Sequence, residues 1–206
     1  MELDPDLYEV PADTGHFQHT EKRSRFIGIA KHTPTPTEAL SFVEKCRAQY
    51  HDATHHCFAW LIGDHERFSD AGEPAGTAGR PIIDAIRSSG LGQAGVVVIR
   101  YFGGVKLGPG GLRRAYGETA RGALVDAGTE SRYRVHHLVV TFDHADTSQV
   151  HHVASRHGAR SLGSEYGDRA QLKYELRTSR VDAFSADITE ATHGRAAVAP
   201  CSMNEE

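Results

Sequence analysis

A chain of 206 residues, 39% hydrophobic and 24% charged, has the make-up of a globular protein large enough for one large domain or two small ones. No apolar run approaches the roughly 18 residues of a membrane span, and the acidic start "MELDPDLYEVPADTG" lacks the basic and apolar regions of a signal peptide. Three widely spaced cysteines (46, 57, 201) form neither a disulfide framework nor a zinc knuckle, so a cytoplasmic protein with reduced thiols is expected, and the net charge of −4 argues against wholesale coating of nucleic acid.

In chain order, "SRFIGIAK" reads as a strand. A helix follows in "TPTEALSFVEKCRAQY", with Thr35 as cap, Pro36 at the first helical position and Glu38 completing a capping box. Ala39, Phe42, Val43, Cys46 and Tyr50 recur at helical spacing and predict one buried stripe. "HHCFAWLIG" is apolar on both faces, as in a strand covered on both sides. The glycine-rich loop "FSDAGEPAGTAGRP" then leads into a short helix carrying Ile82, Ile83 and Ile86. "AGVVVIRYF" is a β-branched run and predicts a strand. The stretch "RYFGGVKLGPGGLRRAYGE" follows, and Leu112, Ala115, Tyr116, Thr119, Ala120, Ala123 and Leu124 predict a helix closed by Gly128.

A boundary is expected at "GTESRYR", 128–134. Beyond it the pattern reads strand 135–143, helix 145–156, strands 158–164 and 169–178, helix 181–193 and strand 195–201. That βαββαβ order is the ferredoxin-like plait. The segment from Val135 onward is net acidic, whereas no acidic residue falls between Asp84 and Glu118, where Arg87, Arg100, Lys106, Arg113 and Arg114 lie.

Arg100–Glu118 is neither of the common nucleotide loops. Pro109 and Gly110 stand where a Walker motif needs Lys and Ser/Thr, and Arg113 stands where a dinucleotide fingerprint needs its third glycine. A glycine-rich turn feeding a helix still exposes backbone N–H groups at the positive end of the helix dipole. Arg100, Lys106, Arg113 and Arg114 would add charge there, and Gly103, Gly104, Gly108, Gly110 and Gly111 would allow close approach of an anion. The alternative is that the glycines only permit a turn and the arginines are solvated, with Arg114 pairing along the helix with Glu118.

"HDATHHC" gathers His51, Asp52, His55, His56 and Cys57, but no second ligand pair has metal-site spacing, so no metal or cofactor is expected. Cys57 sits in an apolar strand, which raises a thiol pKa and disfavours a nucleophile. Asp70 and Glu73 are the candidate acid/base residues, with turn-forming or solvated carboxylates as the alternative.

"DATHHCFAW", "FSDAGEPAGTAGRP" and "VVVIRYFGGVKLGPGGLRRAYGETARGAL" together resemble the YigZ/IMPACT family over about residues 20–128. His55, His56, Gly72, Glu73, Pro74, Gly76, Thr77 and Gly79 fall within these motifs. The resemblance implies a two-domain α+β fold. Residues 1–130 would be similar to ribosomal protein S5 domain 2 and elongation factor G domain IV, and residues 131–206 to the ferredoxin-like domain of prokaryotic members. Eukaryotic relatives act in a kinase pathway of translational control, a role that the resemblance does not transfer to this architecture. The expectation is a cytosolic, translation-associated regulatory protein whose first domain binds RNA phosphate or a ribosome-linked partner, away from membranes. The rivals are an enzyme acting on a small phosphorylated or peptide-like substrate between the two glycine-rich loops, and a protein-interaction module without catalysis.

Overall fold

The computed structural model describes residues 4–201, so the outermost ends of the two expected domains, 1–3 and 202–206, lie outside it. The chain divides into two compact units. One is Tyr8–Arg132; the other runs from Tyr133 onward and takes in the described residues before Tyr8.

The chain up to Tyr133 holds β1 (Leu7–Pro11), β2 (Gly15–Glu21), β3 (Ser24–His32), α1 (Pro36–Gln49), β4 (His55–Ile62), β5 (His65–Ser69), α2 (Gly79–Ser89), β6 (Ala94–Tyr101), α3 (Gly108–Ala127) and β7 (Thr129–Tyr133). Five strands form an antiparallel sheet in the order β2-β3-β6-β4-β5, and β1 pairs with β7. The β-branched run of β6 takes the centre because both sheet faces are covered there. Val96 and Val98 pack with α2 and α3, while Val97 and Ile99 pack with α1. Cys57 and Ala59 of β4 join the first core, and Phe58 and Trp60 the second.

Each helix buries the stripe that its sequence spacing predicts. Ala39, Val43 and Cys46 of α1 are buried, with Phe42 and Tyr50 packed at the margin. Thr35 caps α1 by accepting the Glu38 N–H at 3.2 Å; its hydroxyl donates in turn to the Glu38 carboxylate at 3.0 Å. All seven predicted residues of α3 are buried, and Gly128 forms its C-cap with φ 65°. Gly110 and Gly111 belong to the first turn of α3 rather than to the loop before it.

Four strands escaped the sequence reading. β2 and β5 are the sheet's edges, and their polar sequences "GHFQHTE" and "HERFS" carry little hydrophobic pattern. β7 occupies most of the segment read as a boundary, and β1 is its partner.

The second unit contains β8 (Val135–Phe142), α4 (Thr147–His157), β9 (Arg160–Tyr166), β10 (Ala170–Arg177), α5 (Val181–Ala191) and β11 (Ala197–Pro200). Its sheet order, β11-β8-β10-β9 with all pairs antiparallel, is that of the ferredoxin-like plait. Leu138, Val140, Phe142, Leu172, Tyr174 and Leu176 pack against Val150 and Val153 of α4 and Phe184 and Ile188 of α5. The opposite sheet face carries ion pairs: Arg160 and His137 meet Glu175, and Lys173 meets Glu165.

Candidate functional site

The loop between β5 and α2 is wound around Asp70. Its carboxylate accepts the backbone N–H groups of Gly76 (2.8 Å), Ala78 (2.9 Å) and Gly79 (2.9 Å). Burial alone would raise the Asp70 pKa, but these N–H groups outweigh it and hold the carboxyl below the usual range. Asp70 thus satisfies the orphan donors of the α2 start that Ala78, lacking a polar side chain, cannot cap. Thr77 closes the turn by donating to the Pro74 carbonyl at 2.6 Å, and Gly72 (φ 89°) and Gly76 (φ 71°) supply the left-handed backbone.

This winding turns Glu73 inward. Its side chain is 4% exposed and its Oε1 accepts from Arg100 Nη1 at 2.6 Å and from the Tyr116 hydroxyl at 2.8 Å. Arg100, also buried, donates through Nη2 to Ser24 at 3.2 Å, and its guanidinium lies against Phe26 and Phe102, 5.4 and 5.3 Å from the ring centroids. Its Nε finds no acceptor among the described residues. His55 Nδ1 lies 3.0 Å from the Ala71 carbonyl; since a carbonyl only accepts, Nδ1 carries the hydrogen. Its Nε2 lies 3.9 Å from Glu73 Oε1. Behind them Cys57 donates to the Asp70 carbonyl, and burial pushes its thiol up to about 12. Burial likewise raises the Tyr116 hydroxyl, which stays a donor to Glu73.

Above this network lies a pocket of about 400 Å³, lined by residues of both glycine-rich segments: His55, Glu73, Pro74 and Arg100 on one side, Lys106, Leu107, Gly108, Pro109 and Leu112 on the other, with Thr54 and Phe102. The sequence candidates therefore separate into groups. Arg100 and Glu73 neutralise each other in the pocket wall, whereas Asp70 is committed to the loop backbone. His56 is turned away, its Nε2 2.9 Å from the Tyr50 carbonyl. Gly103 is a packing glycine: a Cβ there would stand 2.1 Å from the Arg23 backbone. Gly104 and Gly108 have φ values of 83° and 72°, and Gly110 and Gly111 lie in the first turn of a helix that no side chain caps.

Lys106, Arg113 and Arg114 are exposed at that helix start and have no acidic partner among the described residues. Arg113 Nε instead donates to the Gly76 carbonyl at 3.2 Å, tying α3 to the Asp70 loop. Glu118 lies 3.5 Å from His19. Arg87, counted in the acid-free segment, is paired with Glu66 at 2.6 Å. Three further cations were missed from sequence. Arg121 is exposed on α3 beside Arg113 and Arg114 in a second, shallower hollow. Lys22 and Arg23 form the two-residue turn joining β2 and β3, against which Gly103 packs. Phe102 and Leu107, though inside the glycine-rich stretch, were not singled out; the signal was an apolar residue at each end of a segment otherwise made of glycine, valine and lysine. No group of three or more His, Cys, Asp or Glu side chains among the described residues is arranged to hold a metal ion. No helix among them is long and apolar enough to cross a membrane.

Residues 22–124 match the Impact N-terminal domain, and residues 140–195 match a domain of unknown function, DUF1949. The IMPACT family member YigZ of Escherichia coli is 35% identical over 84% of this chain and 87% of its own length. The chain belongs to the YigZ/IMPACT family. The IMPACT family member YvyE of Bacillus subtilis is 30% identical, covering 91% of this chain and 88% of its own. The IMPACT homolog of Saccharomyces cerevisiae is 30% identical over 54% of this chain and 45% of its own length. A crystal structure described as that of a hypothetical protein superposes with a TM-score of 0.71 at 32% identity, covering 98% of this chain and 99% of that one. The pocket and the α3 start both fall within the IMPACT-type domain.

Proposed function

We propose that this IMPACT family member is a translation-associated regulatory protein whose first unit binds RNA phosphate at the start of α3. The observation that carries this reading is the pairing of an uncapped helix N-terminus with Lys106, Arg113 and Arg114, cations that no carboxylate neutralises among the described residues. Unpaired helix N–H groups and cations not neutralised by carboxylates are what phosphate oxygens need. Lys22, Arg23 and Arg121 add exposed charge on the same unit. The experiment is binding of single-stranded RNA to the full chain and to Arg113→Glu/Arg114→Glu. Both residues are exposed, and circular dichroism checks that the fold survives loss of the Arg113–Gly76 bond; the double reversal lowers affinity about tenfold or more, and unchanged affinity sinks the reading.

The rival reading, an enzyme acting on a small substrate, draws support from the pocket between the two loops and from His55, whose Nε2 is set by the Ala71 carbonyl. In that reading Glu73 and His55, not Asp70, would meet the substrate. Turnover lost in His55→Ala with RNA affinity intact would favour it.

A further inference from the structure

The pocket beside the α3 start has more apolar wall than a phosphate contact uses. Pro74, Phe102, Leu107, Pro109 and Leu112 all line it, and Phe102 is 47% exposed. That half-exposed ring stands on a pinned stretch of backbone. The Phe102 N–H donates to Thr54 Oγ1 at 3.1 Å, and the next N–H, of Gly103, donates to Ser24 Oγ at 3.2 Å. The buried Arg100 guanidinium lies 5.3 Å from the ring centroid and is itself held by Glu73. An aromatic ring placed this firmly has little freedom left to lose when a second flat group is laid against it.

Charge selects the class of that group. The carboxylate lining the pocket, that of Glu73, is neutralised by Arg100. Lys106 in the same wall, and Arg113 and Arg114 just inside α3, have no acidic partner among the described residues. A ring beside cations that carboxylates leave free matches a nucleotide of a strand, flat base and anionic phosphate together. At about 400 Å³ the pocket has room for one base with its ribose. A base inside a duplex is stacked on both faces and cannot enter; a base of a single strand can be splayed out. We propose that the pocket takes one unstacked base of a single-stranded RNA, laid on Phe102, with the flanking phosphates on Lys106, Arg113 and Arg114. Contact through a ring face asks for no particular pattern of donors and acceptors, so the pocket reads strandedness rather than sequence. The phosphate half of this placement rests on the reading of α3 given above; the base half rests on the pocket and its ring.

The test is competition against a labelled single-stranded RNA bound to the full chain. The competitors are the same strand unlabelled, a sugar-phosphate strand of equal length without bases, the blunt duplex, adenosine monophosphate, and an oligoglutamate peptide of equal charge. Per phosphate, the single strand competes about tenfold better than the abasic strand or the duplex. Phe102→Ala, with its fold checked by circular dichroism, lowers single-strand affinity about tenfold and leaves duplex affinity unchanged. Phe102→Trp keeps the wild-type affinity, and Phe102→Leu, apolar but without a ring face, behaves as Phe102→Ala. Equal competition by the abasic strand or the duplex overturns the proposal, as does wild-type binding by Phe102→Ala or Phe102→Leu. Oligoglutamate matching the RNA would assign the surface to an acidic protein segment, and adenosine monophosphate matching it to a free nucleotide; either result overturns the proposal too. If Phe102→Ala changes nothing while Arg113→Glu/Arg114→Glu still weakens RNA binding, the base placement falls and the phosphate reading stands.

Discussion

Glu73 and Arg100 form a buried ion pair, with side chains 4% and 5% exposed. Removing one partner of such a pair strands a charge and costs about 3–5 kcal/mol, whereas replacing both by apolar residues is often close to neutral. Denaturant titration of Glu73→Ala is expected to show a loss of that size, and Glu73→Leu/Arg100→Met a much smaller one; equal losses would mean that the pair contributes little beyond packing. Asp70 contributes through its contacts with the Gly76, Ala78 and Gly79 N–H groups. Because its folded pKa is depressed, its stabilisation is full above the ordinary carboxylate value of about 3.9 and is lost as pH falls through the folded value. Asp70→Asn should therefore lose stability by a constant amount between about pH 5 and pH 8, and the gap from wild type should close in stronger acid. A gap that widens in acid would contradict the assignment. Sequence alone named both carboxylates and offered turn formation as an alternative, which describes the local contacts of Asp70; the setting of Glu73 was not legible, because its contacts come from residues as distant as Arg100 and Tyr116.

The elements that were legible are those with an apolar period. β6, α1 and α3 announce themselves because each buries a continuous face, and the βαββαβ order of the second unit follows from the same signal. Edge strands carry no such signal. The β2–β3 hairpin was hidden for a second reason: its turn is Lys22-Arg23, with φ values of 45° and 68°, where a two-residue hairpin favours Asn-Gly. Holding two long side chains in the left-handed region costs about 1 kcal/mol or more each. Lys22→Asn/Arg23→Gly is expected to raise the melting temperature and also to weaken RNA binding, since it relieves strain and removes two exposed cations. Higher stability with unchanged RNA affinity would assign the turn a purely structural role. The glycines divide the same way, since Gly103 is required by packing against that turn, whereas a Cβ at Gly110 meets nothing nearer than the Arg114 side chain at 3.6 Å.

Across the whole molecule the formal charge of −4 conceals an unequal distribution. The second unit pairs its charges on the open sheet face, through Glu175 with Arg160 and His137 and through Glu165 with Lys173. The first unit leaves Lys106, Arg113 and Arg114 without acidic partners among the described residues at an uncapped helix start. The acid-free segment marked this region in the sequence. Which of its cations stay available was not legible there, because Arg100 is neutralised by Glu73 and Arg87 by Glu66 only once the chain is folded. The measurement that tests the phosphate-binding claim most directly is the salt dependence of single-stranded RNA affinity for wild type and for Arg113→Gln/Arg114→Gln. Each phosphate contact contributes about 0.7 to the slope of log affinity against log salt, so the double variant should be shallower by about 1.4. Parallel slopes for the two proteins would contradict it.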